Sequence, residues 1–116
     1  MEVNEKCDVF SFGVMSLEML MGKHPGDLIS SLFSSFAMQS SSDLLLKDVL
    51  DKRIPCPVEL VIIQELILVA RVTFACLSES PHSRPTMEQV HNEFMMPKSP
   101  LVDPFPMITL GQLLHN

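Results

Sequence analysis

The stretch "EKCDVFSFGVMSLEMLM" at positions 5–21 constrains the fold of this chain more than any other. Placed on a helix, Val9, Phe10, Phe12, Val14, Met15, Leu17, Met19, Leu20 and Met21 cover nearly the whole circumference. A helix that is apolar all round is expected at a centre, packed on several sides. Gly13 lies in its middle, where glycine costs about 1 kcal/mol against alanine. That residue therefore predicts the close approach of another segment. Gly22 suits a helix stop, and Pro25 cannot continue the helix.

A second apolar run, "LVIIQELILVARVTFACL" at 60–77, is long enough to raise the question of a membrane span. Gln64, Glu65 and Arg71 interrupt it, and a charge near a bilayer centre costs about 2.5–3.5 kcal/mol. A helix in a helical core, beginning near residue 58, is the expectation, with no direct membrane insertion. Between the two runs, Asp27 is placed to cap a short helix over "LISSLFSSF". "AMQSSS" at 37–42 reads as a loop. Ser42 or Asp43 then caps "LLLKDVLDKR", with Leu45, Leu46, Val49 and Leu50 on one stripe and Lys52 and Arg53 at the C-terminal end of the helix dipole.

Further on, "SESPHSRP" is a loop. Thr86 with Gln89 three residues later has the form of a capping box for a helix over 87–95. No strand alternation exceeds a few residues, so the fold class is all-α. With 116 residues the chain suffices for one small domain. Residues 1–96 form its folded part. Residues 97–116, with four prolines in "PKSPLVDPFP", read as a Pro-rich extended C-terminal tail.

Hydrophobic residues make up 47% of the chain, which excludes a disordered acidic segment. The net charge of −6 argues against nucleic acid as a partner. Cys7, Cys56 and Cys76 are scattered and form no C-x-x-C pair, which fits a reducing compartment and inert thiols. The four histidines are equally scattered, and no metal site is expected.

Two segments carry a resemblance. "EKCDVFSFGVMSLEMLMGKHPGDL" resembles the helix F segment of protein kinases, in the form found in plant leucine-rich-repeat receptor-like serine/threonine kinases. "FACLSESPHSRPTMEQV" resembles the end of helix H, the following loop and helix I of the same domain. Order and separation suit helices F to I, the C-terminal part of the kinase C-lobe, over residues 1–96. The resemblance implies a parent that transfers the γ-phosphoryl of ATP to protein serine or threonine, with magnesium, on the cytoplasmic side of the plasma membrane.

The resemblance also carries roles for single residues. Asp8 matches the aspartate that accepts hydrogen bonds from the catalytic-loop backbone. The bland alternative is a first-turn acid favoured by the helix dipole. Arg84 matches the arginine that pairs with the glutamate of A-P-E. Its alternatives are a solvated loop arginine, worth at most about 1 kcal/mol, or a local pair with Glu79. Gly13, as a site of close approach, fits the same resemblance.

The chain contains no G-x-G-x-x-G, V-A-I-K, H-R-D or D-F-G, and A-P-E would lie upstream of Met1. The expectations are therefore no catalytic, cofactor or metal residues here, ATP and magnesium belonging to the parent, and no activity of the chain alone. A truncated gene model, a partial transcript or a pseudogene product would account for the missing motifs. The expected partner is the remainder of the kinase domain. The alternative is a non-catalytic interaction module or truncated pseudokinase product that binds other kinases or chaperones. Part of helix F must then face water, and a marginal or molten fold is expected.

Overall fold

A computed structural model of the chain describes residues 2–33, 45–96 and 104–114. Its helices are α1 (Glu2–Met21), α2 (Gly26–Phe33), α3 (Leu46–Val49), α4 (Leu60–Cys76), α5 (Met87–Met95) and α6 (Leu110–Leu114), with 3-10 turns at Pro81–Ser83 and Phe105–Met107. The fold is all-α. The only pairing of β type among the described residues is one isolated antiparallel bridge, Leu45 to Thr109.

The two apolar runs pack on each other, α1 against α4. Each serves two clusters from two stripes. Ile63, Ile67, Ala70 and Phe74 of α4 and Leu77 just after it recur at helical spacing and join Leu17, with Phe10, Val14 and Met21 of α1 alongside. Val72 and Cys76, with Leu68, form the other stripe and meet Val9 and Val90. This sandwiching explains why α4 is apolar on most of its circumference. It also explains a helix made of many β-branched residues, since packing outweighs their weak helix propensity.

At Gly13 the two runs approach closely. A Cβ there would lie 3.0 Å from the Cβ of Cys76 and 3.0 Å from Cγ of Leu77. The close approach expected from the sequence is present. Helix α1 is packed on several sides and part of it faces water, as expected from the sequence. Asp8, Ser11, Met15, Glu18 and Met19 share one face and are exposed.

Gly22 ends α1 with φ 72°, and its N–H donates to the Glu18 carbonyl at 2.8 Å. A side chain there would run into the Asp51 carboxylate. The turn after α3 is pinned to this corner, since Asp51 N–H donates to the Leu20 carbonyl at 2.8 Å. The Arg53 guanidinium holds Asp51 at 2.9 Å and lowers its carboxyl pKa, through a side-chain hydrogen bond first and a backbone hydrogen bond second. Arg53 thus serves the turn, not the dipole of a long helix, because α3 already ends at Val49.

Two capping expectations change. Helix α2 starts at Gly26, so Asp27 stands in its first turn, and Nδ1 of His24 accepts from Gly26 N–H at 3.0 Å. Leu45 occupies the N-cap of α3 without a side-chain cap. Ser42, Asp43 and the "AMQSSS" loop lie outside the described residues. The capping box of α5 is as expected. Oγ1 of Thr86 accepts from Gln89 N–H at 3.0 Å, and Oε1 of Gln89 accepts from Thr86 N–H at 2.8 Å.

The end of the chain corrects the expectation of an extended tail. Phe105, Ile108, Leu110 and Leu113 are buried and belong to the cluster of Leu17, Leu46 and Phe74. Prolines at 104 and 106 do fix extended or turn geometry locally, but the apolar side chains between and after them have a core to enter.

Candidate functional site

The residues singled out by sequence meet where the N-terminal half of α1 passes the C-terminal end of α4. After Cys76 the chain leaves the helix through Leu77, Ser78 and Glu79, makes the 3-10 turn at Pro81–Ser83 and reaches Arg84 in extended conformation. The Arg84 guanidinium turns back across this loop. Its Nε donates to the Ser78 carbonyl at 2.8 Å, Nη1 to the Lys6 carbonyl at 3.2 Å, and Nη2 to the Glu79 carbonyl at 3.4 Å. Lys6 answers with its Nζ, which donates to the Arg84 carbonyl at 2.6 Å.

The guanidinium carbon also lies 4.7 Å from the centre of the Phe10 ring, where the ring's negative face attracts a cation. A planar fork of five N–H groups suits this task better than an ammonium, since it bonds in three directions while stacking. The arrangement is a brace. It ties α1 to the loop between α4 and α5, and it brings no pair of groups together for acid–base or nucleophilic chemistry. Glu79 contributes its carbonyl to Arg84 in place of the carboxylate weighed as a local partner.

Asp8 sits on the exposed face of α1, apart from the Arg84 bonds. Because α1 begins at Glu2, Asp8 lies beyond the first turn, where the dipole argument has faded. Gly13 lies one turn past Phe10, against Cys76 and Leu77. The structure therefore brings Arg84 together with Lys6 and Phe10, and leaves Asp8 outside. Lys6 was missed in the sequence. Its partner is 78 positions away, and no local pattern marks such a pair.

The remaining polar groups offer little chemistry. No group of three or more His, Cys, Asp or Glu that could hold a metal occurs among the described residues. Cys7 and Cys56 are exposed, while Cys76 is buried and desolvation pushes its thiol up to about 11. Nε of Arg71 on α4 is buried without a hydrogen-bond partner, a donor left at a cost of about 1–3 kcal/mol. No described helix is long and apolar enough to cross a membrane.

Comparison with known sequences decides the family. The family described as protein tyrosine and serine/threonine kinase matches residues 1–94. The chain belongs to the protein kinase family. It is 44% identical over 94 residues to "MDIS1-interacting receptor like kinase 2" of Arabidopsis thaliana, covering 81% of this chain and 9% of that protein. It is 43% identical over 94 residues to a "Probable leucine-rich repeat receptor-like protein kinase" of the same plant, covering 81% of this chain and 8% of that one. A third Arabidopsis relative, a leucine-rich repeat receptor-like serine/threonine-protein kinase, is 38% identical over 101 residues, covering 78% and 8%. This kinase chain thus spans about a tenth or less of the length of these relatives. No solved structure gives a significant match. Residues 104–114 lie beyond the stretch matched by the family.

Proposed function

We propose that this chain is the helix F to helix I part of a receptor-like serine/threonine kinase C-lobe, and that it serves as scaffold. The whole protein would transfer the γ-phosphoryl of ATP to protein serine or threonine at the cytoplasmic face of the plasma membrane. The Arg84 brace carries this reading. It stiffens the α1–α4 corner and uses three of the five N–H groups of the guanidinium. One N–H on each terminal nitrogen is left to face a carboxylate from elsewhere in the kinase, as the matching A-P-E glutamate would provide.

On this reading the 116-residue chain is inactive alone, since phosphoryl transfer rests on positioned lysine, aspartate and magnesium groups whose motifs the sequence lacks. Incubation of the purified chain with labelled ATP, magnesium and a general serine/threonine substrate should give no transfer above a no-protein control. Saturable ATP binding or transfer by the chain would overturn the reading. ATP and magnesium are assigned to the whole kinase, and the partner of this part is the remainder of the domain.

A second reading, a non-catalytic interaction module, is favoured by the bare apolar side chains of Met19 at 76% exposure and Val58 at 89%. Its partner would be another kinase or a chaperone. A purified chain that is monomeric, unfolds cooperatively and leaves apolar dyes dark would count against it.

A further inference from the structure

The segment Pro104–Leu114 stands apart from the rest of the core in three ways. It lies outside the stretch matched by the kinase family. It contains no ionisable side chain. Its secondary structure is a three-residue turn and a five-residue helix, each too short to persist without support. Its order must therefore come from the surface beneath it. That surface is built by Leu17 of α1, Leu46 of α3, and Ile63, Ile67 and Phe74 of α4, which share one cluster with Phe105, Ile108, Leu110 and Leu113. Helices α1 and α4 also pack directly on each other, so the surface does not depend on the segment for its main support.

We propose that this surface is a peptide-docking site, and that its occupant is the chain's own Pro104–Leu114 segment, held as a detachable ligand of pattern F-x-x-I-x-L-x-x-L. Part of the segment's polar needs is met within it. Thr109 N–H donates to Oε1 of Gln112 at 2.8 Å, and Gln112 N–H donates to Oγ1 of Thr109 at 3.2 Å, a reciprocal cap for α6. Among the described residues its backbone meets the body where Leu46 N–H donates to the Ile108 carbonyl at 2.8 Å, beside the Leu45–Thr109 bridge. A backbone hydrogen bond that sets register and four apolar anchors that fill a surface are means by which a docked segment is recognised. Leaving the surface would uncover Leu46, which is fully buried, and its neighbours together, a patch that a like segment from a second copy could fill.

The test uses the full chain, wild type and carrying Phe105→Asp with Leu110→Asp to unseat the segment. A tethered segment acts at an effective concentration near millimolar, so a free fluorescent 104–114 peptide should bind the variant at least about 30-fold more tightly than the wild type. Without charges in the peptide, the affinity should hold from about 0.05 to 0.5 M salt. A peptide carrying Leu110→Asp should bind at least about tenfold more weakly. A variant that keeps its helical circular dichroism and does not bind the peptide overturns the proposal. If the variant unfolds, hydrogen exchange of the wild type decides. The amides of Leu46 and Ile108 should open together at least about tenfold faster than those of Ala70 and Phe74. A common rate for all four would make the segment ordinary core and overturn the proposal.

Discussion

The two ends of α4 carry the same kind of side chain and meet opposite surroundings. At its start Leu60, Val61 and Ile62 are 57%, 59% and 48% exposed, while Phe74 and Cys76 at its finish and the C-cap Leu77 are at 3%, 0% and 2%. Hydropathy alone does not separate them. What separates them is company: the finish is sandwiched between α1 and the Val90 side of α5, meets Gly13 closely and leads into the loop that Arg84 ties to α1. The start has no such layers among the described residues. Apolar character in a helix therefore states that burial is sought, and only the third dimension states where it is found.

Breaking the buried end should cost most. Phe74→Ala removes a ring that is almost wholly enclosed, and a loss of about 3–5 kcal/mol is expected from denaturant unfolding. A loss below about 1 kcal/mol would mean that the finish of α4 is no better packed than its start. Gly13→Val comes next. Its branched side chain would enter the space held by Cys76 and Leu77 at 3.0 Å, and overpacking of this kind costs roughly 1–3 kcal/mol. The same substitution at an exposed α1 position such as Ser11 should cost far less.

Arg84→Ala should cost about 1.5 kcal/mol, since it frees the Ser78 and Lys6 carbonyls and uncovers the Phe10 face. Arg84→Lys should recover only part of that loss, because an ammonium cannot bond in three directions and stack at once. Equal stability of the Lys and Arg forms would reduce the brace to simple charge. The Arg84 position itself was legible, through its loop and the resemblance. Its actual partners were not, for Lys6 and Phe10 lie more than seventy positions away. By contrast the Thr86–Gln89 box was read in full, because both bonds close within four residues. The buried segment at 105–113 was misread for a related reason. Proline spacing is visible locally, whereas an open apolar surface waiting for Phe105 and Leu110 is a property of the assembled helices.

Cys76 extends the comparison to pH. Both Cys7 and Cys56 are exposed and should react with a thiol reagent in the native state, while Cys76 should react only on unfolding. An unfolded cysteine ionises near 9.0, and burial moves Cys76 to about 11. Well below pH 9 both states keep the proton and this group adds no pH dependence. Between pH 9 and 11 the unfolded chain releases a proton that the folded chain retains, so stability falls as pH rises. Cys76→Ala should remove that part of the alkaline slope, while Cys7→Ala leaves it in place. Identical slopes for the two variants would show that water reaches the Cys76 thiol.

The smallest effect belongs to the bare end. Val61→Gln changes a side chain that is already 59% exposed, and its stability should stay within about 0.5 kcal/mol of the parent. Glutamine also has the better helix propensity, which offsets part of the lost apolar contact. What should move is association. Leu60, Val61 and Ile62 are consecutive, with exposed Val58 and Ile54 shortly before them, and such a strip favours contacts between molecules at high concentration. Sedimentation of the variant against the parent separates the two quantities. Unchanged stability with weaker self-association marks the start of α4 as surface that lacks a cover. A loss of several kcal/mol would instead place Val61 inside a packed layer and erase the difference between the two ends of the helix.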